Sequence, residues 1–170
     1  MKKKPTLVFL SGFMGSGKTS VGRILARGLQ IPFIDTDDSL IKHSGLSISE
    51  LFQKIGESQF RNLETQVIAS IKGPAVISLG GGAVISATNR KLLSQGIWIY
   101  LKTAPATLSE RLKNDASRPL LNTANKRRTI EDLLRKRSPY YALAPYCIRT
   151  DGLNPKSIAQ QIKQLLRTRS

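Results

Sequence analysis

Gly12-Phe13-Met14-Gly15-Ser16-Gly17-Lys18-Thr19 is the stretch on which this chain turns. It fits G-x-x-x-x-G-K-[ST], the phosphate-binding P-loop pattern. The glycines let the backbone wrap so that several N–H groups point inward at phosphate oxygens. Lys18 then reaches the β- and γ-phosphates of a nucleotide, and the Thr19 hydroxyl is placed to hold Mg²⁺. The flanks agree. Thr6-Leu7-Val8-Phe9-Leu10 is short, apolar and rich in strand formers, as a buried strand should be. From Ser20 to Leu29, the residues Val21, Ile24, Leu25 and Leu29 recur at helical spacing. A strand, a glycine loop and a helix N-terminus make an anion site. A chance match is the bland alternative, and the flanks count against it.

The 170 residues are expected to form one domain with a proper core, of about residues 6 to 166. Hydrophobic content of 40% suits neither disorder nor a membrane span, and no apolar run exceeds strand length. Lys2-Lys3-Lys4 followed by Pro5 reads as a solubilised N-terminus rather than a signal peptide. Cys147 is the single cysteine, so an intrachain disulfide and cysteine metal sites are excluded, and a cytoplasmic location is expected. Cys147 itself, in Cys147-Ile148-Arg149, is expected to be buried. The net charge of +16 is the odd feature. It suits a nucleic-acid surface, or an enzyme whose ligands are all anions. The basic residues are spread along the chain with no aromatic-interleaved basic motif, so no specific nucleic-acid partner is expected. No membrane partner is expected either, and the chain should be a monomer.

Pro32-Phe33-Ile34-Asp35 predicts a second strand. Alternation would then turn Asp35 and Asp37 the same way, beyond the carboxyl end where ligands of open α/β sheets bind. The competing reading makes Asp37 or Asp38 the N-cap of a helix near Ser39. Ser47-Ile48-Ser49-Glu50 is a capping box, opening a helix that Gly56 closes. A further helix, about 57–72, carries Arg61 and Glu64 three residues apart. That pair is either a surface ion pair of little worth or an arginine aimed at a carboxylate ligand. Val76-Ile77-Ser78-Leu79 is a strand ending in Gly80-Gly81-Gly82, where a ligand can approach the main chain. A helix is expected over 89–95 and a strand over 97–101, in which Trp98 reads as core. Pro105 opens a helix carrying Arg111. Residues 114–125 read as a mobile lid bearing Arg118. Thr129 with Asp132 is expected to cap a helix carrying Arg137, and Asn154-Pro155 to start the last one. His43, the only histidine, reads as a surface residue. The βαβα alternation implies a parallel sheet with helices on both faces.

Two kinds of P-loop protein drop out. Guanine readers use N-K-x-D, and Asn125-Lys126-Arg127-Arg128 lacks the Asp. Large ATPases end an apolar strand in an acid, and the strands before Gly80 and Lys102 have none. Asp35 is the one acid so placed, which suggests a small-molecule kinase. From about residue 6 to 166 the chain resembles the shikimate kinase family. The shared signatures are Gly-Ser-Gly-Lys-Thr (15–19), Asp-Thr-Asp (35–37), Gly-Glu-x-x-Phe-Arg-x-x-Glu (56–64), Gly-Gly-Gly-Ala-Val (80–84), Arg-Pro-Leu-Leu (118–121) and Arg-x-x-x-Tyr (137–141). Each later motif is weak alone, but their order and spacing are specific.

The resemblance implies an α/β P-loop fold of the nucleoside-monophosphate-kinase-like, three-layer kind. It has a five-stranded parallel sheet, helices on both faces and a mobile lid. It also implies ATP-dependent phosphorylation of shikimate at its 3-hydroxyl, with Mg²⁺, giving shikimate 3-phosphate and ADP on the way to chorismate and aromatic amino acids. By resemblance Gly15, Ser16, Gly17, Lys18, Thr19 and Ser20 hold the ATP phosphates, while Arg111 and Leu153 flank adenine. Arg118 meets both ATP and the transferring phosphate, and Thr19 with Asp35 serves the metal. Arg61, Arg137, Gly80, Gly81 and Gly82 cradle shikimate, and Asp37 takes the reacting hydroxyl. Lys18, Asp37 and Arg118 are thus the catalytic set. The alternatives are a gluconate- or nucleotide-type kinase and an ATP-regulated nucleic-acid binder. The triple glycine and Asp-Thr-Asp argue against the first, and the missing basic-aromatic motif against the second.

Overall fold

The computed structural model describes residues 7–117 and 119–168, so Lys2-Lys3-Lys4 and Arg118 lie outside the described residues. Five strands, β1 (Leu7–Ser11), β2 (Phe33–Asp35), β3 (Ala75–Ser78), β4 (Ile97–Lys102) and β5 (Tyr146–Arg149), form one sheet. Its order is β2-β3-β1-β4-β5 and every pairing is parallel. Parallel neighbours need long crossovers, and these are helical. They are α1 (Lys18–Leu29), α2 (Thr36–Ser44), α3 (Ile48–Ser70), α4 (Ala87–Leu93), α5 (Pro105–Arg111) and α6 (Lys126–Tyr141), with α7 (Pro155–Thr168) closing the fold.

Strand alternation sorts the core into two layers. Phe9, Ile77, Trp98 and Tyr100 pack with Ile68, Leu93, Leu108, Ile130 and Tyr141 on the face covered by α3 to α6. Val8, Leu10, Val76, Ile99 and Leu101 pack on the other face with Val21 and Leu25 of α1 and Ile158 and Ile162 of α7. Each such fully buried large side chain contributes about 1.5–3 kcal/mol. Trp98 is core, as its setting suggested, and its indole N–H donates to Ser11 Oγ at 2.8 Å. Leu40, Leu51 and Phe60 make a third, small cluster between α2 and α3. Because β1 is central and parallel to both neighbours, its carboxyl end opens into the P-loop at the sheet's middle. That is where ligands of open α/β sheets bind.

Several boundaries differ from the sequence reading, each for a capping reason. Helix α2 starts at Thr36, and its N-cap is Asp35 rather than Asp37 or Asp38. The Asp35 carboxylate accepts from the amides of Asp37 and Asp38, two donors that a helix start leaves unpaired. Asp37 is therefore a first-turn helical residue, and strand alternation does not orient it. Helix α6 starts at Lys126, capped by Asn125 whose Oδ1 accepts from the Arg128 amide at 3.1 Å. Thr129 sits a turn inside. Helix α4 starts at Ala87 behind a Ser86 cap, two residues before the expected start. The Ser47–Glu50 capping box forms, and Gly56 (φ 76°, ψ 170°) breaks the helical path within α3, which ends at Ser70. Asn154 caps α7 through the Ser157 amide. Cys147 is exposed, not buried, because alternate side chains of the edge strand β5 are uncovered. His43 is exposed. No helix among the described residues is long and apolar enough to cross a membrane.

Candidate active site

The phosphate end follows from the backbone. Gly17 takes a left-handed conformation (φ 96°) that L side chains disfavour, and α1 begins at the next residue. The helix N-terminus thus presents its free amides and the positive end of its dipole at the loop. Lys18 is buried, and its ammonium donates to the carbonyls of Gly12 and Phe13 at 2.9 and 3.1 Å. A cation held against its own loop stands beside the amides that phosphate oxygens would meet. Gly15, Ser16, Gly17, Lys18, Thr19 and Ser20 all line one cleft of about 970 Å³. Asp35, Asp37, Gly81, Arg111 and Leu153 line it too. Arg111, the last residue of α5, donates to the Gly15 carbonyl at 3.0 Å. Leu153 is partly exposed beside Pro155 on the same cleft.

Thr19 and Asp35 meet. The Thr19 hydroxyl donates to Asp35 Oδ2 at 2.9 Å, while Asp35 Oδ1 accepts from the Asp37 amide at 3.0 Å. A hydroxyl and a carboxylate already fixed in place are hard oxygen donors of the kind Mg²⁺ prefers. This pair therefore fits the metal that the P-loop pattern implies.

A second cluster is built on the glycine loop that follows β3. Arg61 of α3 donates to Glu64 Oε2 at 2.9 Å, and Glu64 is 1% exposed. Burial pushes the Glu64 carboxyl up from its ordinary range, and the Arg61 charge pulls it part of the way back. With Glu64 buried, the pair is not an exposed surface ion pair. A methyl group on Gly82 would fall 2.6 Å from Arg61 Nη2, and one on Gly81 would fall 3.3 Å from Arg137 Nη1. A methyl group on Gly80 would fall 2.9 Å from both Asp37 Oδ1 and Glu64 Oε1. Arg61 of α3, Arg137 of α6 and Asp37 of α2 thus converge on three consecutive glycines from β3. Arg137 is buried over the Phe13 ring, and its Nη1 has no hydrogen-bond partner among the described residues. An unpaired buried guanidinium nitrogen is costly, and an anion bound there would repay it.

Gly80→Ala is expected to leave the fold intact, since Gly80 has no left-handed φ. The new methyl must displace the Asp37 and Glu64 carboxylates. Misplacement of a reacting group by about 1 Å costs on the order of 10²-fold in rate. Steady-state kinetics with circular dichroism as a folding control checks this, and wild-type turnover in the variant would place the reacting groups elsewhere.

Two residues quoted in the signatures but given no role in the sequence reading support the glycine loop. The buried Thr36 hydroxyl accepts from the Gly80 amide at 3.0 Å, and the Tyr141 hydroxyl donates to the Gly81 carbonyl. Burial pushes the Tyr141 phenol up to about 12, so it stays a donor at neutral pH. Tyr141 closes the Arg-x-x-x-Tyr signature, and its place four residues after Arg137 puts both on one helix face. Thr36 lies between two acids and carries no comparable signal.

A P-loop at the end of a central parallel strand, an acid on the next strand in sequence and two arginines converging on a glycine loop define a class. The protein is a P-loop phosphotransferase of the nucleoside-monophosphate-kinase-like fold. Residues 14–167 match the family model described as shikimate kinase. Shikimate kinase of Moorella thermoacetica is 44% identical over 168 residues, covering 96% of this chain and 95% of that protein. Shikimate kinase of Thermodesulfovibrio yellowstonii is 43% identical over 158 residues, covering 91% of each. The solved structure of shikimate kinase from Acinetobacter baumannii in complex with shikimate superposes with a TM-score of 0.93 at 37% identity, covering 98% of this chain and 95% of that one. This chain belongs to the shikimate kinase family.

Proposed function

We propose that this chain, a shikimate kinase by family, transfers the γ-phosphate of ATP to the 3-hydroxyl of shikimate, giving shikimate 3-phosphate and ADP. The observation that carries the acceptor assignment is the unpartnered, buried Arg137 Nη1 beside Gly81, with Arg61 beside Gly82. Two guanidinium forks from different helices suit one planar carboxylate, which lysines cannot match. The side-chain-free loop leaves room for a ring, and Asp37 faces Gly80 from the P-loop side. Gly15 to Ser20 take the ATP phosphates, and Arg111 with Leu153 takes the adenine.

Phosphoryl transfer passes through a loose transition state with charge spread over the phosphoryl oxygens. Positioning and electrostatics therefore dominate, and Lys18 and Arg118 are the side chains that would meet that charge. Thr19 and Asp35 would hold Mg²⁺, which when bound neutralises charge on the β- and γ-phosphates. Asp37 orients the acceptor hydroxyl and takes its proton late. Residues 114–125 act as the lid that brings in Arg118. The protein works as a cytoplasmic monomer on the pathway to chorismate, without a nucleic-acid or membrane partner.

Phosphorus NMR of the product with proton coupling tests the regiochemistry: a single ester coupled to the proton on C3 is expected, and an ester at C4 or C5 would contradict it. Arg61→Lys or Arg137→Lys is expected to weaken shikimate binding by about 1–3 kcal/mol, the scale of a charge-assisted hydrogen bond. ATP affinity measured without shikimate should barely change. Titration calorimetry of each ligand separates the cases, and equal loss of both affinities would make the arginines structural.

A further inference from the structure

The segment from Gly80 to Ile85 is a glycine loop ending in a 3₁₀ turn (Ala83–Ile85), and each of its six carbonyls has a donor. Gly80 and Gly82 carbonyls accept from the Ala83 and Ile85 amides at 3.0 and 3.1 Å. The Gly81 carbonyl accepts from Tyr141. Helix α4 supplies the other three. Asn89 Nδ2 donates to the Ala83 carbonyl at 2.9 Å, and Arg90 Nη1 donates to Val84 and Ile85 at 2.8 and 2.7 Å. Asn89 is 0% exposed. Its Oδ1 lies 2.7 Å from the Thr65 hydroxyl, whose single proton is shared between Asn89 Oδ1 and the Arg61 carbonyl 3.0 Å away.

We propose that Asn89 is a positioning residue for the acceptor: it bridges the glycine loop to the turn of α3 that carries Arg61, and so sets their spacing. The proposal rests on the reading of Arg61 and Gly80 to Gly82 as the acceptor site. A fully buried amide costs free energy unless both its ends are paired, and an apolar side chain would fill the same place without that condition. Both Asn89 bonds lead to acceptor groups. One runs to the loop and the other to the Arg61 turn. Neither reaches the P-loop, so their loss should fall on the acceptor and leave the nucleotide alone. Arg90 repeats the arrangement towards α6, its guanidinium stacking 5.3 Å from the Tyr140 ring next to Tyr141. Helix α4 therefore ties the loop to both helices that carry the arginines.

The test is steady-state kinetics of Asn89→Asp, Thr65→Val and Arg137→Lys beside the wild type, with KM measured for each substrate. Asn89→Asp keeps the acceptor for Thr65 and sets a carboxylate oxygen against the Ala83 carbonyl. Its shikimate KM should rise about tenfold, the loss expected of one buried hydrogen bond, with the ATP KM within about twofold of wild type. Thr65→Val preserves shape and the loop bond, so a rise of about threefold in shikimate KM alone is expected, and it serves if Asn89→Asp does not fold. An unchanged shikimate KM in the variants that fold, or a parallel rise in both KM values, overturns the proposal and leaves Asn89 a packing residue. If Arg137→Lys raises the shikimate KM while the Asn89 and Thr65 variants do not, only this proposal falls. If Arg137→Lys has no effect, the reading of the site falls and the proposal with it.

Discussion

Lys18→Ala is expected to lower kcat by on the order of 10²–10³-fold while the chain stays folded, the scale of removing one preorganised donor from developing transition-state charge. Lys18 is buried, and its ammonium donates to two carbonyls of its own loop. Lys18 lines the cleft, so the space that its side chain leaves opens towards water rather than into the core. The loss should then be catalytic rather than structural. Because the ammonium stabilises the β- and γ-phosphates more as charge redistributes towards them, kcat should suffer more than the ATP KM. Single-turnover rates with a thermal melt of the same preparation decide the matter. Near-normal turnover in a folded Lys18→Ala protein would end the P-loop assignment.

Asp37→Asn should be nearly as severe, with turnover down on the order of 10²–10⁴-fold, the range of general acid–base assistance. The amide keeps the side chain's shape and can still accept a hydrogen bond, so shikimate should bind. What is lost is the negative charge that attracts the hydroxyl proton. The backbone amide of Asp37 would go on donating to Asp35, so the Thr19–Asp35 hydrogen bond is not disturbed. ATP affinity should accordingly stay near wild type. A variant that loses ATP binding and turnover together would mean that Asp37 maintains the Asp35 cap and has no role at the acceptor.

The parts of this account legible in the sequence are local in sequence. The P-loop, the Ser47–Glu50 capping box, the Gly56 break and the Arg61–Glu64 pair each depend on residues a few positions apart, where spacing alone dictates contact. Helix starts were less legible because neighbouring residues compete to cap. Asn125 prevailed over Thr129, and Asp35 over Asp37 and Asp38, since each winner reaches amides its rival does not. The buried setting expected for Cys147 failed because edge position in the sheet is a property of topology, not of the strand's own residues. Convergence of Arg61 and Arg137 on one loop came from family resemblance. No spacing could supply it, since they lie on α3 and α6. Thr36 against Gly80 and Thr65 against Asn89 are pairs 44 and 24 residues apart, and only the folded chain brings them together.

The central claim is that one site, lined by the P-loop and the glycine cradle, moves phosphate from ATP to shikimate. A coupled ADP-release assay with magnesium and ATP, run on the purified chain with shikimate, gluconate and nucleoside monophosphates in turn, tests it most directly. ADP should appear at a catalytic rate with shikimate and at the no-acceptor background with the others. Release with gluconate or a nucleoside monophosphate at a rate equal to or above that with shikimate would contradict the account.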